Sequence, residues 1–190
     1  ANYIKLYLEK NFLDISTSIH VIQTRGDMDL KDDLSSLGGK GAFVKEIQKA
    51  LIENEIDIAV HSYKDLPAER PSELEIISVS PREDERDVLI SKNKQVFKDL
   101  NHNSTIGTGS LRRNEQIKLI RDDLEYVPIR GNIDTRINKV LNNELDGIII
   151  AAAGVIRLSL SKYISNFFKV DEIVPPPLQG FICLLYTSDA

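Results

Sequence analysis

The apolar and polar positions of the chain follow two different spacings, which predict helices interleaved with strands. Helical spacing is found at residues 4–8, 43–51, 110–121 and 133–142. Short apolar or alternating runs typical of strands are found at residues 19–26, 56–60, 74–79, 105–108, 126–129 and 147–152. Strands that alternate with helices favour parallel pairing, because each helix carries the chain back to the edge of the sheet where the last strand began.

One local pattern occurs twice. Residues 51–60 and residues 141–150 each consist of a helix end, an acidic turn and a strand. They lie on either side of the charged stretch at residues 82–87, which has the composition of a linker. We therefore predict an α/β fold of two similar lobes with mixed, mainly parallel sheets and crossover helices, and a ligand bound between the lobes at the carboxyl ends of the strands.

The charge balance and the single cysteine limit the classes of partner and compartment. Lys and Arg total 24 against 29 Asp and Glu, a net charge of -5, which argues against nucleic acid or an anionic membrane as the main partner. Cys183 has no second cysteine to pair with, which is typical of a reducing compartment. The longest apolar run, residues 148–155, is too short to cross a bilayer. We expect a monomer in the cytoplasm, or in a plastid if a transit peptide precedes Ala1.

Arginines are concentrated in one part of this acidic protein. Five of the ten arginines lie between residues 112 and 136, namely Arg112, Arg113, Arg121, Arg130 and Arg136. Guanidinium groups bind carboxylates and phosphates through paired hydrogen bonds, so the cluster indicates a site for an anion with several carboxylates. The alternative is a solvated basic face, to which Arg121 belongs because Asp122 and Asp123 follow it.

Two turns place backbone amides beside these arginines. Residues 107–113, Gly-Thr-Gly-Ser-Leu-Arg-Arg, predict a strand, a turn of small residues and a helix start, where free amides and the hydroxyls of Thr108 and Ser110 can bind an anion. Residues 130–136 repeat the arrangement after the next strand. Lys40, between two glycines, gives the first lobe a similar loop. The alternatives are a purely structural helix cap for the first turn and a flexible loop for Lys40.

The segment His61-Ser-Tyr-Lys-Asp65 places an acid and a base side by side after a strand. In a cleft of low dielectric, such a carboxylate can stabilise positive charge or move protons. The alternative is that Lys64 and Asp65 form a solvated pair. We interpret His61 as structural and expect no metal site, because no other histidine or cysteine lies at the spacing of a metal ligand.

Together, these segments resemble the hydroxymethylbilane synthase (porphobilinogen deaminase) family. The matching stretches are residues 24–27, 38–46, 57–65, 82–87, 107–113, 130–136 and 151–154, and they occur in the family's order and spacing between about residues 20 and 180. The resemblance implies two lobes of the periplasmic-binding-protein type. A small third domain would follow, carrying a cysteine linked to a dipyrromethane cofactor.

The resemblance also implies roles for individual residues. Asp65 would be the catalytic carboxylate. It would assist the loss of ammonia from porphobilinogen and stabilise the cationic azafulvene intermediate, which the growing oligopyrrole then attacks. Four porphobilinogen molecules would thereby form a linear tetrapyrrole. The residues that would bind the acetate and propionate groups of cofactor and substrate are Lys40, Ser62, Lys64, Arg82, Thr108, Ser110, Arg112, Arg113, Arg130 and Arg136. A non-enzymatic two-lobed binding protein for a small anionic solute remains the alternative.

The same match predicts the domain organisation. Residues 1–81 would form domain 1 without its first strand, 82–87 a hinge, 88–174 domain 2, and 175–190 a segment returning to domain 1, in which Gln179-Gly180 resembles the family's Gly-Gln-Gly turn. The third domain would lie outside this sequence, and Cys183 does not align with the cofactor cysteine. We therefore expect no turnover from residues 1–190 alone. We also hypothesise that residues 184–190, which match the family poorly, are not native.

Overall fold

The computed structural model describes residues 1–23 and 44–188, and the protein divides into two compact units. The first unit comprises Ala1–Pro81 and Phe181–Ala190, and the second comprises Arg82–Gly180. The elements described in the first unit are α1 (Asn2–Asn11), α2 (Lys45–Ile52), β1 (Ala59–Ser62), β2 (Leu74–Val79) and β8 (Ile182–Thr187). Those of the second are β3 (Asp87–Ser91), β4 (Thr105–Thr108), α3 (Leu111–Lys118), β5 (Glu125–Pro128), α4 (Ile133–Leu141), β6 (Gly147–Ala151), α5 (Ala152–Arg157) and β7 (Asn166–Phe167).

The first unit contains a three-stranded sheet in the order β1-β8-β2, with β8 antiparallel to both neighbours. Its core forms because α2 turns Leu51 inward to pack with Ala59, Leu74 and Leu185, all nearly inaccessible to solvent. Burying such side chains is the main favourable term in folding. By contrast, α1 buries none of its residues.

The second unit contains a five-stranded sheet in the order β5-β4-β6-β3-β7. Strand β4 runs parallel to β5 and β6, with α3 and α4 as the connecting helices, whereas β3 runs antiparallel to β6 and β7. Val88 and Ile90 face one hydrophobic cluster while Leu89 faces another, because successive side chains of a strand point to opposite faces. The sheet is therefore covered on both faces.

The repeated pattern seen in the sequence corresponds to the same local structure in each unit. Helices α2 and α4 are followed by Asn54 and Asn143, whose φ angles of 58° and 62° lie in the left-handed region that ends many helices. The amide of Glu55 donates to the carbonyl of Ala50, and the corresponding bond from Glu144 to Lys139 has the same length of 2.9 Å. Each turn then leads into a strand, β1 or β6.

The structure departs from the predicted elements in several places, and strands β7 and β8 were not predicted. Residues 12–23 contain no strand, so the strand predicted at 19–26 is wrong in its described part, and residues 24–26 lie outside the described residues. Strand β3 begins at Asp87, inside the predicted linker. Parallel pairs were expected to predominate, but the described strands form two parallel and four antiparallel pairs, because β3 and β8 each pair antiparallel with two neighbours.

Candidate functional site

The turn between β4 and α3 has the predicted order of strand, turn and helix start, and Ser110 has the capping role that was the structural alternative. The Oγ of Ser110 caps α3 by accepting from the amide of Arg113 at 3.5 Å, and the Oγ1 of Thr108 accepts from the amide of Ser110 at 3.4 Å. A Cβ atom at Gly109 would lie 2.7 Å from the carbonyl oxygen of Ile129, closer than real contacts allow. A larger residue at position 109 would therefore require the backbone at Ile129 to shift.

The arginines at the start of α3 contact one buried carboxylate. The Nη2 of Arg112 lies 2.5 Å from Oδ2 of Asp87, and the Nη2 of Arg113 lies 2.8 Å from Oδ1. Burial alone raises the pKa of Asp87, but the charges and hydrogen bonds of Arg113 and Arg112 outweigh it and lower the pKa. Asp87 is therefore ionised at neutral pH and holds both guanidinium groups.

Gln179, like Asp87, is a polar side chain that contacts Arg113 and was not predicted as part of the site. Its amide nitrogen donates to Oδ1 of Asp87 at 3.0 Å and to the carbonyl of Glu85 at 2.6 Å, and its Oε1 accepts from Arg113 at 3.4 Å. The Nε of Arg82 donates to the backbone carbonyl of Gln179 at 2.9 Å. Gln179 is fully buried, so these bonds satisfy polar atoms that have no access to water.

Arg136 adds positive charge to the same region. Its Nε donates to the carbonyl of Gly131 at 2.7 Å, and its Nη1 would lie 3.6 Å from a Cβ at Gly109. Burial, and then the charge of Arg113, lower the pKa of Arg136. Within the described ranges no carboxylate is paired with Arg136, and the buried Nε of Arg113 has no hydrogen-bond partner. Arg112 and Arg113 thus share the carboxylate of Asp87, and Arg136 adds a third positive charge close enough to Arg113 to lower its own pKa.

The other two arginines of the cluster differ in their surroundings. Arg130 is half-buried and follows β5, just before Asn132, the N-cap of α4. Arg121 forms an ion pair with Asp123 at 2.6 Å and donates to the carbonyls of Phe97, Lys98 and Leu100. Arg121 therefore ties the residues just before β5 to the segment after β3.

In the first unit, β1 ends at Ser62 and a single helical turn, Tyr63–Asp65, follows. Ser62 and Asp65 are exposed and Lys64 is half-buried. His61 is buried, its Nε2 has no hydrogen-bond partner, and burial lowers its pKa. An uncharged imidazole is the form that such a site favours.

Two further features of the first unit concern the cofactor. Lys40 and the motifs at residues 24–27 and 38–43 lie outside the described residues. Cys183 is buried, and burial raises the pKa of its thiol to about 11, so little reactive thiolate forms at neutral pH.

Residues 1–23 and 44–188 hold no cluster of metal-ligating side chains, and their helices are too short or too polar to span a membrane.

The fold of this chain is found among solved structures of periplasmic binding proteins. A structure described as an ABC transporter, periplasmic substrate-binding protein from Coxiella burnetii matches 99% of this chain and 80% of its own length, with a TM-score of 0.57 and 11% sequence identity. The protein thus has the α/β fold of periplasmic binding proteins, as predicted.

Sequence relatives define the family. The family model described as "Porphobilinogen deaminase, dipyromethane cofactor binding domain" matches residues 1–190. Proteins named porphobilinogen deaminase are 46% identical in Syntrophus aciditrophicus over 93% of this chain, and 47% identical in Syntrophomonas wolfei over 100% of it. The chain belongs to the porphobilinogen deaminase family, and it spans 58% and 62% of the length of these relatives.

Proposed function

We propose that the protein of which this chain is part is a hydroxymethylbilane synthase, a transferase that joins four porphobilinogen molecules into a linear tetrapyrrole. Family membership supports the reaction. The observation that carries the proposal for this chain is the excess positive charge around Arg113 and Arg136, a largely buried environment that attracts carboxylates. Each porphobilinogen brings an acetate and a propionate group. The alternative, a binding protein for an anionic solute, is not favoured by relatives that are named as enzymes.

The residues of the second unit fit a dipyrromethane cofactor, because its four carboxylates suit a cluster of guanidinium groups. Arg112, Arg113 and Arg136 outnumber Asp87, the one carboxylate in the described part of the chain that is paired with any of them. When bound, this cofactor supplies the primer to which the pyrrole units of the product are added. Arg113, Arg130 and Arg136 would bind its carboxylates or those of the substrate through paired hydrogen bonds. Thr108 and Ser110 would add donors from the turn. We assign Lys40, Ser62, Lys64, Arg82 and Arg112 to the same set of carboxylate ligands.

Asp65 is proposed as the catalytic carboxylate. Porphobilinogen loses its amino group as ammonia when the C–N bond of its aminomethyl group breaks, and positive charge develops on the pyrrole. A carboxylate that accepts a hydrogen bond from the pyrrole N–H stabilises that charge. The cation then forms a C–C bond with the free carbon of the preceding pyrrole, which loses its proton. The exposure of Asp65, at the end of the helical turn that follows β1, supports this role, because a substrate can reach it.

The test replaces this carboxylate in protein expressed from its complete gene. Asp65→Asn keeps the size of the side chain and removes its charge, so we expect kcat to fall at least about 100-fold, since charge stabilisation of this kind contributes that much or more. Hydroxymethylbilane release is the measurement. Asp57→Asn is the matched control, because Asp57 is exposed in the same unit and precedes the same strand.

Circular dichroism should show both variants folded. Asp65→Asn with the wild-type kcat would remove Asp65 from the mechanism, and a wild-type protein that releases no hydroxymethylbilane would refute the function itself.

A monomeric state and a location in the cytoplasm or a plastid are further parts of the proposal. Analytical ultracentrifugation of the purified protein would test the monomeric state. Fractionation of the cells that produce the protein would test its location.

A further inference from the structure

The carboxylate of Asp87 stands out among the polar groups of the second unit because it is completely buried while it contacts two arginines. It lies at the first position of β3, a strand that is buried along its whole length. A buried ion pair is weak support for stability, because removing charges from water offsets most of their attraction. Its presence therefore calls for an explanation other than stability.

The geometry of the contacts supplies one. The Nη1 of Arg112 donates to the carbonyl of Val174 at 2.5 Å, and its Nη2 contacts Asp87. Both terminal nitrogens of this guanidinium group are therefore held in place. Arg113 is fixed by Asp87 and Gln179 at its Nη2, and its buried Nε is left without a partner. The contacts with Asp87 thus restrain two long side chains that would otherwise be flexible.

We infer that Asp87 is a positioning residue, whose carboxylate holds Arg112 and Arg113 in the orientation in which the second unit binds the carboxylates of its ligand. The inference rests on the proposed function and adds to it the residue that organises the anion site. Restraining the arginines in advance reduces the conformational entropy that is lost when the ligand binds. Gln179 assists by donating to the same carboxylate oxygen that Arg113 contacts.

The first experiment measures KM and kcat for porphobilinogen in protein expressed from its complete gene. Asp87→Asn should raise KM about tenfold and lower kcat by less than about threefold, because ligand binding loses its prearranged partners. A purely structural role gives the opposite pattern, since a smaller folded fraction lowers kcat and leaves KM unchanged. Asp123→Asn is the matched control, because it removes the same charge from the Arg121 ion pair, and its KM should equal that of the wild type.

The outcomes separate the two proposals. A wild-type KM in folded Asp87→Asn would overturn the positioning role while leaving the synthase function intact. Absence of turnover by the wild type would instead refute the function, and the second experiment would then decide the positioning role alone.

That second experiment also covers the case in which Asp87→Asn fails to fold. NMR of the arginine side chains in the wild type, without added porphobilinogen, reports rotation about the Nε–Cζ bond. Arg112 and Arg113 should rotate much more slowly than Arg70, which is exposed and whose Nε donates to the carbonyl of Leu74. Equal rotation rates for the three arginines would overturn the inference.

Discussion

At the scale of single residues, ionised carboxylates paired with arginine or lysine link the stability of the second unit to pH. The guanidinium groups of Arg113 and Arg112 outweigh burial and hold the pKa of Asp87 below its ordinary value of 3.8. The pKa of Asp123 is lowered to about 2, mainly by its hydrogen bond with Arg121. The pKa of Asp146 is also lowered, first by the amide of Thr105 and then by Lys92. The folded protein therefore binds protons at these groups more weakly than the unfolded protein does.

The sign of the pH dependence follows from these shifts. Stabilisation from a carboxyl group with a lowered pKa is complete above its unfolded value and is lost as the pH falls through the folded value. We expect the urea midpoint to begin to fall below about pH 6.5, where buried His61 with its lowered pKa resists the proton that the unfolded protein takes up, and to fall further between about pH 4 and pH 2 as the carboxylates are protonated. Circular dichroism in urea at each pH is the measurement. A midpoint that rises on acidification below pH 4 would contradict this assignment.

The sequence motifs were sufficient to predict the arginines of the site. They were not sufficient to predict the carboxylate of Asp87, which holds two of those arginines in place. Arg112 and Arg113 are visible as a pair in a motif, whereas Asp87 is one of several acids in a charged stretch. Its burial depends on strand β3, which pairs with β6, more than 50 residues later in the sequence. Gln179 likewise acts through contacts with residues 85 and 87, which no local pattern reveals.

At the scale of elements, the strands and helices with clear periodicity were predicted well. Strands β2 and β4 have the predicted bounds, and α2, α3 and α4 lie within a few residues of them. Strand β3 was missed because both of its faces are buried, so its sequence lacks the alternation of a half-exposed strand. Strand β8 was missed because residues 184–190 match the family poorly. That they are not native stays a hypothesis, which an independent clone with the same residues would refute.

The caps of α3 and α4 predict different contributions to stability. Asn132 accepts from the amide and the hydroxyl of Thr135 at 2.8 and 2.7 Å, whereas Ser110 accepts from Arg113 at 3.5 Å. Asn132→Ala should lower the free energy of unfolding by about 1 kcal/mol, and Ser110→Ala by less. Urea unfolding measures both, with the exposed Asn138→Ala on α4 as the control. A larger loss for Ser110→Ala would contradict the ranking.

At the scale of the whole molecule, the backbone passes twice between its two units, once after Pro81 and once after Gly180. On the second-unit side these passages are bonded together: the carbonyl of Gly180 accepts from the amide of Glu83 at 3.0 Å and from Nη2 of Arg157 at 2.6 Å. The φ angle of Gly180 is 97°, and a Cβ there would overlap the carbonyl oxygen of Glu83. The predicted domain boundaries and the hinge at residues 82–87 stay predictions.

Gly180 therefore predicts a strong effect of a small substitution. Gly180→Ala should lower the free energy of unfolding by about 2 kcal/mol or more, because the strained φ angle and the overlap add to each other. Thermal unfolding of wild type and variant measures this. Leu178→Gly is the control in the same segment, because Leu178 has a φ of 65°, where glycine is the less strained residue. An unchanged midpoint in Gly180→Ala would show that the passage relaxes without cost.

The strand order β1-β8-β2 also sets an order of events during synthesis on the ribosome. Strands β1 and β2 do not pair with each other, and the strand that joins them is made only after residue 181. The second unit is continuous in sequence from Arg82 to Gly180 and has all its strands by then. The second unit begins later in the sequence but is thus the first whose strands are all synthesised, whereas the described strands of the first unit cannot pair until β8 has been made.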